Sequence, residues 1–168
     1  FALKQRGKHG VIVYFEQNLK DEEQTKDMLT KTRSYFRERL GIDPLLGVDE
    51  EGGQVARISG RAEFALESFP DMAEIGASEQ PERAGEIGSR IGVCLSELGF
   101  NLDFAPVADV LTNPENTVVA RRSFGSDPAQ VSEFVNAYAE GLRSQGITAV
   151  LKHFPGHGGT AGDSHDGY

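Results

Sequence analysis

Three stretches of the chain set apolar residues at helical spacing, and each ends on a glycine. In the first, Met28, Leu29, Thr32, Phe36 and Leu40 recur at steps of three and four after the opening pair, the spacing that lines one face of an α-helix. Asp21 with Gln24 three residues on predicts a capping box at its start. Gly41 predicts a left-handed stop. The second stretch carries Ala84, Ile87, Ile91, Leu95 and Leu98 and stops at Gly99. The third carries Val131, Phe134, Val135, Tyr138 and Leu142 and stops at Gly146. Asp127 is its expected cap, Pro128 its first helical position and Gln130 the residue that completes the box.

Short apolar runs alternate with these helices: residues 10–15, 45–48, 102–107 (ending near Asp109) and 149–151. The order strand, helix, strand, helix, strand, helix, strand predicts a parallel sheet covered by helices. Two architectures satisfy it, a doubly wound open sheet and a (β/α) barrel. Neither G-x-G-x-x-G nor G-x-x-x-x-G-K-[ST] opens any of the helices, which removes the usual mark of a nucleotide-binding sheet. Polar residues gather instead after several different strands: Glu16-Gln17-Asn18, Asp49-Glu50-Glu51, Asp109 and Lys152-His153. A barrel builds its active face in this way, from many strand ends. The expected fold is α/β, a partial TIM (β/α)8 barrel with about half of its eight strands present.

Charge narrows the partners. The chain has 17 basic and 26 acidic residues, a net charge of −9, and phosphate backbones select clustered Lys and Arg, so a nucleic-acid partner is not expected. No apolar run approaches the roughly 18 residues of a membrane helix. Cys94 stands alone and can form no internal disulfide. The chain opens on Phe1 rather than Met and stops just after a dense polar cluster, so both ends read as cut. The expectation for residues 1–168 is the N-terminal part of a single barrel domain.

That polar cluster holds most of the candidate chemistry. Three of the four histidines lie between Lys152 and His165, on a glycine-rich segment leaving a strand. His153 and His157, with Asp163 and His165, have a metal-like spacing, but zinc pairs of this kind sit on a helix and Pro155-Gly156 forbids one; no metal is expected. A phosphate cradle lacks its Lys-Ser/Thr pair and helix start. A solvated loop with incidental histidines remains the reading for His9. The last reading is an acid/base dyad: Asp163 and His165 are two apart, and a carboxylate holding one imidazole nitrogen leaves the other free to exchange a proton near neutral pH. Glycines around it would let the loop close over substrate.

The motifs Gly47-Val48-Asp49-Glu50-Glu51-Gly52-Gly53-Gln54-Val55-Ala56-Arg57, Asn101-Leu102-Asp103-Phe104-Ala105-Pro106-Val107-Ala108-Asp109, Arg122-Ser123-Phe124-Gly125 and Lys152-His153-Phe154-Pro155-Gly156-His157-Gly158 occur in this order. With Asp163-Ser164-His165 they resemble the family 3 glycoside hydrolases, and the Asp-Ser-His loop resembles their β-N-acetylhexosaminidase branch. The resemblance implies a retaining hydrolase that removes non-reducing-end β-linked N-acetylglucosamine from cell-wall-derived glycans, with a small glycan or muropeptide as its partner and no cofactor. It implies that His165 is the general acid/base, oriented by Asp163, and that Asp49, Arg57, Arg122, Lys152 and His153 bind the sugar. It also places the nucleophile, an aspartate, on a later strand beyond Tyr168. Gln54 departs from the family pattern, which commonly has an arginine there. Glu51 and Asp109 read equally well as loop caps or helix-start charges and are not assigned to the site. A phosphorylase on the same fold and a non-catalytic sugar-binding remnant remain alternatives.

Overall fold

The computed structural model describes residues 10–161 of the 168. Strands β1 (Val11–Tyr14), β2 (Leu45–Val48), β3 (Leu102–Asp103) and β4 (Thr148–Ala149) form one parallel sheet in the order β1-β2-β3-β4. Val11 pairs with Leu45, Gly47 with Leu102, and Asp103 with Ala149. Each strand therefore lies beside the next one in the chain, with no reversal of order. A doubly wound sheet must reverse at its switch point, whereas a barrel winds in one direction. The fold is a partial (β/α) barrel, its four strands joined by helices on one face.

The crossovers are α1 (Glu22–Leu40), then α2 (Met72–Gly76) with α3 (Pro81–Leu98), then α4 (Pro128–Ser144). The core lies between sheet and helices: Tyr14, Leu46 and Val48 from the strands meet Leu29, Ile91, Leu95, Tyr138 and Leu142 from the helices. Every predicted stripe residue of α3 and α4 is buried. On the opposite side of the sheet, Gly47 faces Leu102 and Phe104, and a Cβ there would come within 2.8 Å of the Leu102 Cδ2. Helices α3 and α4 cross closely enough that Gly88 lies against the Tyr138 carbonyl and Gly141 against the Gly85 carbonyl, leaving no room for a Cβ on either.

Local departures from expectation have local causes. Asp21 caps α1 by accepting the Gln24 N–H at 2.8 Å, but Gln24 reaches past the cap to the Lys20 N–H, at 3.0 Å. Asp127 accepts the Ala129 N–H at 3.1 Å. Gln130 does not complete a box: its amide donates to the carbonyls of Gly76 (2.8 Å) and Phe124 (3.2 Å), satisfying the open end of α2. Leu40 is 44% exposed although it was expected on the buried face. A helix of 19 residues is about 28 Å long at 1.5 Å per residue, so its last turn overhangs a four-stranded sheet of short strands. The third strand ends at Asp103, short of the expected run, and residues 104–106 lie outside the sheet ladder. Pairing resumes at Val107, which bridges Lys152, and Ala108 donates to the Lys152 carbonyl at 2.7 Å. Among the described residues no helix is long and apolar enough to cross a membrane.

Candidate active site

The carboxyl ends of the strands carry the polar residues singled out above. Asp49 follows β2 directly, and Lys152 and His153 follow β4 through the Val107 bridge. Arg57 lies on the long loop after β2, and Arg122 on the loop before α4. All five line one cavity of about 390 Å³, together with Glu51, Phe15 and His157. Asp163 and His165 lie outside the described residues.

Glu51 is the centre of the charge network. Arg122 holds it with two hydrogen bonds, Nε to Oε2 at 2.9 Å and a terminal nitrogen to Oε1 at 2.7 Å. Lys152 Nζ sits 2.5 Å from Glu51 Oε1 and 2.7 Å from Asp49 Oδ1. Burial works against the Arg122 charge, but the bonds to Glu51 outweigh it and raise its pKa. A paired fork of this kind fixes orientation as well as charge.

His153 is fixed from two sides. Its Nδ1 lies 2.5 Å from Asp109 Oδ2, and its Nε2 lies 3.2 Å from Arg122. An ionised carboxylate only accepts and a guanidinium only donates, so the ring is neutral, with its proton on Nδ1. The other Asp109 oxygen accepts the His157 N–H at 2.5 Å. Burial tends to raise the Asp109 carboxyl, but the hydrogen bonds from His153 and His157 prevail and hold it below the usual carboxylate range. The rings of His153 and His157 stand 5.9 Å apart at 60°. His157 turns toward Asn116 and Thr160. Among the described residues no group of three or more His, Cys, Asp or Glu side chains is placed to share a metal ion.

Arg57 differs from its neighbours. Its guanidinium lines the cavity with no hydrogen-bond or ion-pair partner among the described residues. Lys152 and Arg122 have spent most of their donors on other protein groups (Asp49, Glu51, the Val118 carbonyl and His153); Arg57 has kept its own. The arrangement offers fixed acceptors (Asp49), a free guanidinium, and a neutral imidazole edge to whatever enters, and such preset donors and acceptors suit a polyhydroxylated ligand.

Sequence reasoning left out Glu51 and Asp109, which hold the site's cations and its histidine. The signal was available: both stand with Asp49 among the polar residues that follow strand ends, although it was the family resemblance that assigned Asp49 to the sugar. Phe15, at the end of β1 and 46% exposed, also lines the cavity and was read only as part of a strand.

A sheet wound in one direction, with a polar cavity at the carboxyl ends of its strands, defines a (β/α)-barrel ligand site. The chain belongs to glycosyl hydrolase family 3: residues 3–168 match the glycosyl hydrolase family 3 N terminal domain. It is 43% identical over 122 residues to the beta-hexosaminidase LpqI of Mycobacterium tuberculosis, covering 73% of this chain and 31% of that protein. It is 36% identical over 162 residues to beta-hexosaminidase A of Pseudoalteromonas piscicida, covering 94% of this chain and 27% of that one. Among solved structures, a family 3 beta-N-acetylglucosaminidase from Paenibacillus superposes with a TM-score of 0.83 at 35% identity, over 93% of this chain and 29% of that chain. NagZ from Neisseria gonorrhoeae superposes with a TM-score of 0.78 at 32% identity, over 93% of this chain and 45% of the other. The chain thus spans well under two thirds of the length of these relatives.

Proposed function

We propose that the protein carrying this chain is a retaining β-N-acetylhexosaminidase that removes non-reducing-end β-linked N-acetylglucosamine from small cell-wall-derived glycans. The observation that carries the reading is the convergence of Asp49, Arg57, Arg122, Lys152 and His153 on one cavity at the strand ends. The names of the relatives support the activity and the sugar. In this reading Asp49 accepts from sugar hydroxyls, Arg57 donates to the ring substituents, and His153 presents its carbon edge to the sugar while its Nε2 stays on Arg122. Glu51 and Asp109 are positioning residues, one for the two cations and one for the imidazole.

The chemistry follows from a retaining mechanism. A carboxylate attacks the anomeric carbon as the bond to the leaving oxygen breaks, and the acid/base group delivers its proton to that oxygen. Water then attacks the glycosyl-enzyme, losing its proton to the same group and restoring the carboxylate. We assign the proton shuttle to His165 steadied by Asp163, and the nucleophile to an aspartate outside these 168 residues.

The test uses the full-length protein with aryl N-acetyl-β-glucosaminides of graded leaving-group pKa. Release of N-acetylglucosamine is expected, with aryl β-glucosides cleaved far more slowly. His165→Ala should slow poor leaving groups most, because these depend on protonation. Equal slowing of all leaving groups would overturn the acid/base assignment. Sugar 1-phosphate formed only when phosphate is added would replace hydrolysis by phosphorolysis.

A further inference from the structure

Between the two carboxylates that meet the cavity lies a third that does not. Glu50 is 0% exposed and points away from the cavity, back into the loop that follows β2. Its Oε2 accepts the N–H groups of Arg57 (2.7 Å) and Ile58 (2.8 Å). Its Oε1 accepts the Ser59 N–H (3.2 Å) and the Ser59 hydroxyl (2.5 Å). Its own main chain is gripped as firmly: the Glu50 N–H donates to Asp103 Oδ1 at 2.9 Å, and the Tyr138 hydroxyl donates to the carbonyls of Glu50 (3.2 Å) and Glu51 (3.1 Å).

We infer that Glu50 is the positioning residue that aims Arg57 at the substrate and ties it to Asp49. The inference rests on the proposed function, since it treats Arg57 as a sugar ligand. Arg57 has no side-chain partner among the described residues, so nothing on the cavity side steers it. What anchors the main chain it springs from is the grip of Glu50 on its N–H from behind, beside a hydrogen bond from Arg61 to its carbonyl at 3.0 Å. That grip comes from the residue adjacent to Asp49, whose main chain is itself held by β3 and α4. One side chain thereby sets the distance between an acceptor and a donor that must meet the same ring. Burying a carboxylate with only neutral donors around it is costly, and four hydrogen bonds are what make it tolerable. A loop needing only to be tied down could use neutral backbone pairs instead.

The experiment is a double-mutant cycle on kcat/KM in the full-length protein. Glu50→Gln keeps the shape but turns an amide NH2 toward the donors. It should lower kcat/KM by about ten- to a hundredfold, the scale of a charge-assisted hydrogen bond. Arg57→Ala should lower it by a similar factor, and the double variant should fall no further than Arg57→Ala. If the two losses multiply, Glu50 does not act through Arg57 and the inference is overturned. Should Glu50→Gln fail to fold, Ser59→Ala removes a single donor to the same carboxylate, and its loss should appear with Arg57 present and vanish with Arg57→Ala. An equal loss in both backgrounds, or none in either, overturns it. A wild-type protein that releases no N-acetylglucosamine overturns the proposed function, and this inference with it; an active wild type with independent losses overturns the inference alone.

Discussion

Arg122 takes both carboxylate oxygens of Glu51, at 2.9 and 2.7 Å, with 12% of the arginine side chain and 2% of the glutamate side chain left to solvent. Breaking a pair this deep by removing one partner strands a charge. Glu51→Ala should cost about 3–5 kcal/mol of unfolding free energy, read from urea denaturation of the full-length protein. Replacing Arg122 with Met should cost less, because Lys152 still neutralises Glu51. Equal costs for the two variants would mean that Lys152 gives no such cover.

Asp109 gives a different signature. Its carboxyl is held below the usual range by hydrogen bonds from His153 and His157, in spite of burial. The unfolded chain titrates near 3.9, so the stabilisation is complete above that value and is lost as pH falls through the lower folded value. Asp109→Asn should flatten the acid limb of stability against pH. It should also lower kcat/KM by about ten- to a hundredfold, because the amide no longer dictates which ring nitrogen of His153 carries the proton. An unchanged acid limb in chemical denaturation between pH 3 and 5 would contradict this.

Asp103 has the opposite sign. It is fully buried, one oxygen accepts the Glu50 N–H, and the other has no hydrogen-bond partner among the described residues. Burial pushes its carboxyl well above the usual range, the Glu50 N–H only partly opposing it. Folded protein therefore keeps a proton that the unfolded chain releases, and stability falls as pH rises from about 4 toward the folded value. Asp103→Asn resembles the protonated acid and keeps the acceptor. Its stability relative to wild type should improve from pH 5 to pH 8. A difference that stays flat over that range would mean Asp103 is ionised throughout.

The helix crossing supplies a paired comparison. Gly88→Ala and Gly141→Ala would push a methyl into the facing carbonyls of Tyr138 and Gly85, whereas at Gly85 the nearest atom, the Ala137 carbonyl oxygen, is 3.4 Å from a new Cβ. The first two should lower stability by about 1–3 kcal/mol, as overpacking does. Gly85→Ala should be neutral or gain up to about 1 kcal/mol of helix propensity. Melting temperatures of the three variants decide it.

Much of this layout was legible from residue order alone. The stripes of α3 and α4 read correctly because both helices bury a full face, Ile91 against the sheet and Tyr138 under the Glu50 loop. Leu40 misled because periodicity reports which face a residue occupies, not whether a strand lies beneath it. Gln130 misled because a cap and a bridge to a neighbouring helix use the same amide, and α2 is five residues long, too short for periodicity to announce. In the site, Asp49, Arg57, Arg122, Lys152 and His153 could be picked out by position and motif. Their division of labour could not: only coordinates reveal that Glu51 occupies two of the cations while Arg57 remains unengaged.

The pairing around the cavity has a consequence for recognition at a distance. Asp49, Glu51 and Asp109 are matched by Arg57, Arg122 and Lys152, and the imidazole of His153 adds no charge. These charges cancel among the described residues, so on their own they project little field beyond the rim and add no long-range attraction for anions or cations. Selection falls to contacts made after arrival. For a neutral sugar, occupancy should hardly respond to added electrolyte, even on a chain whose overall charge is −9.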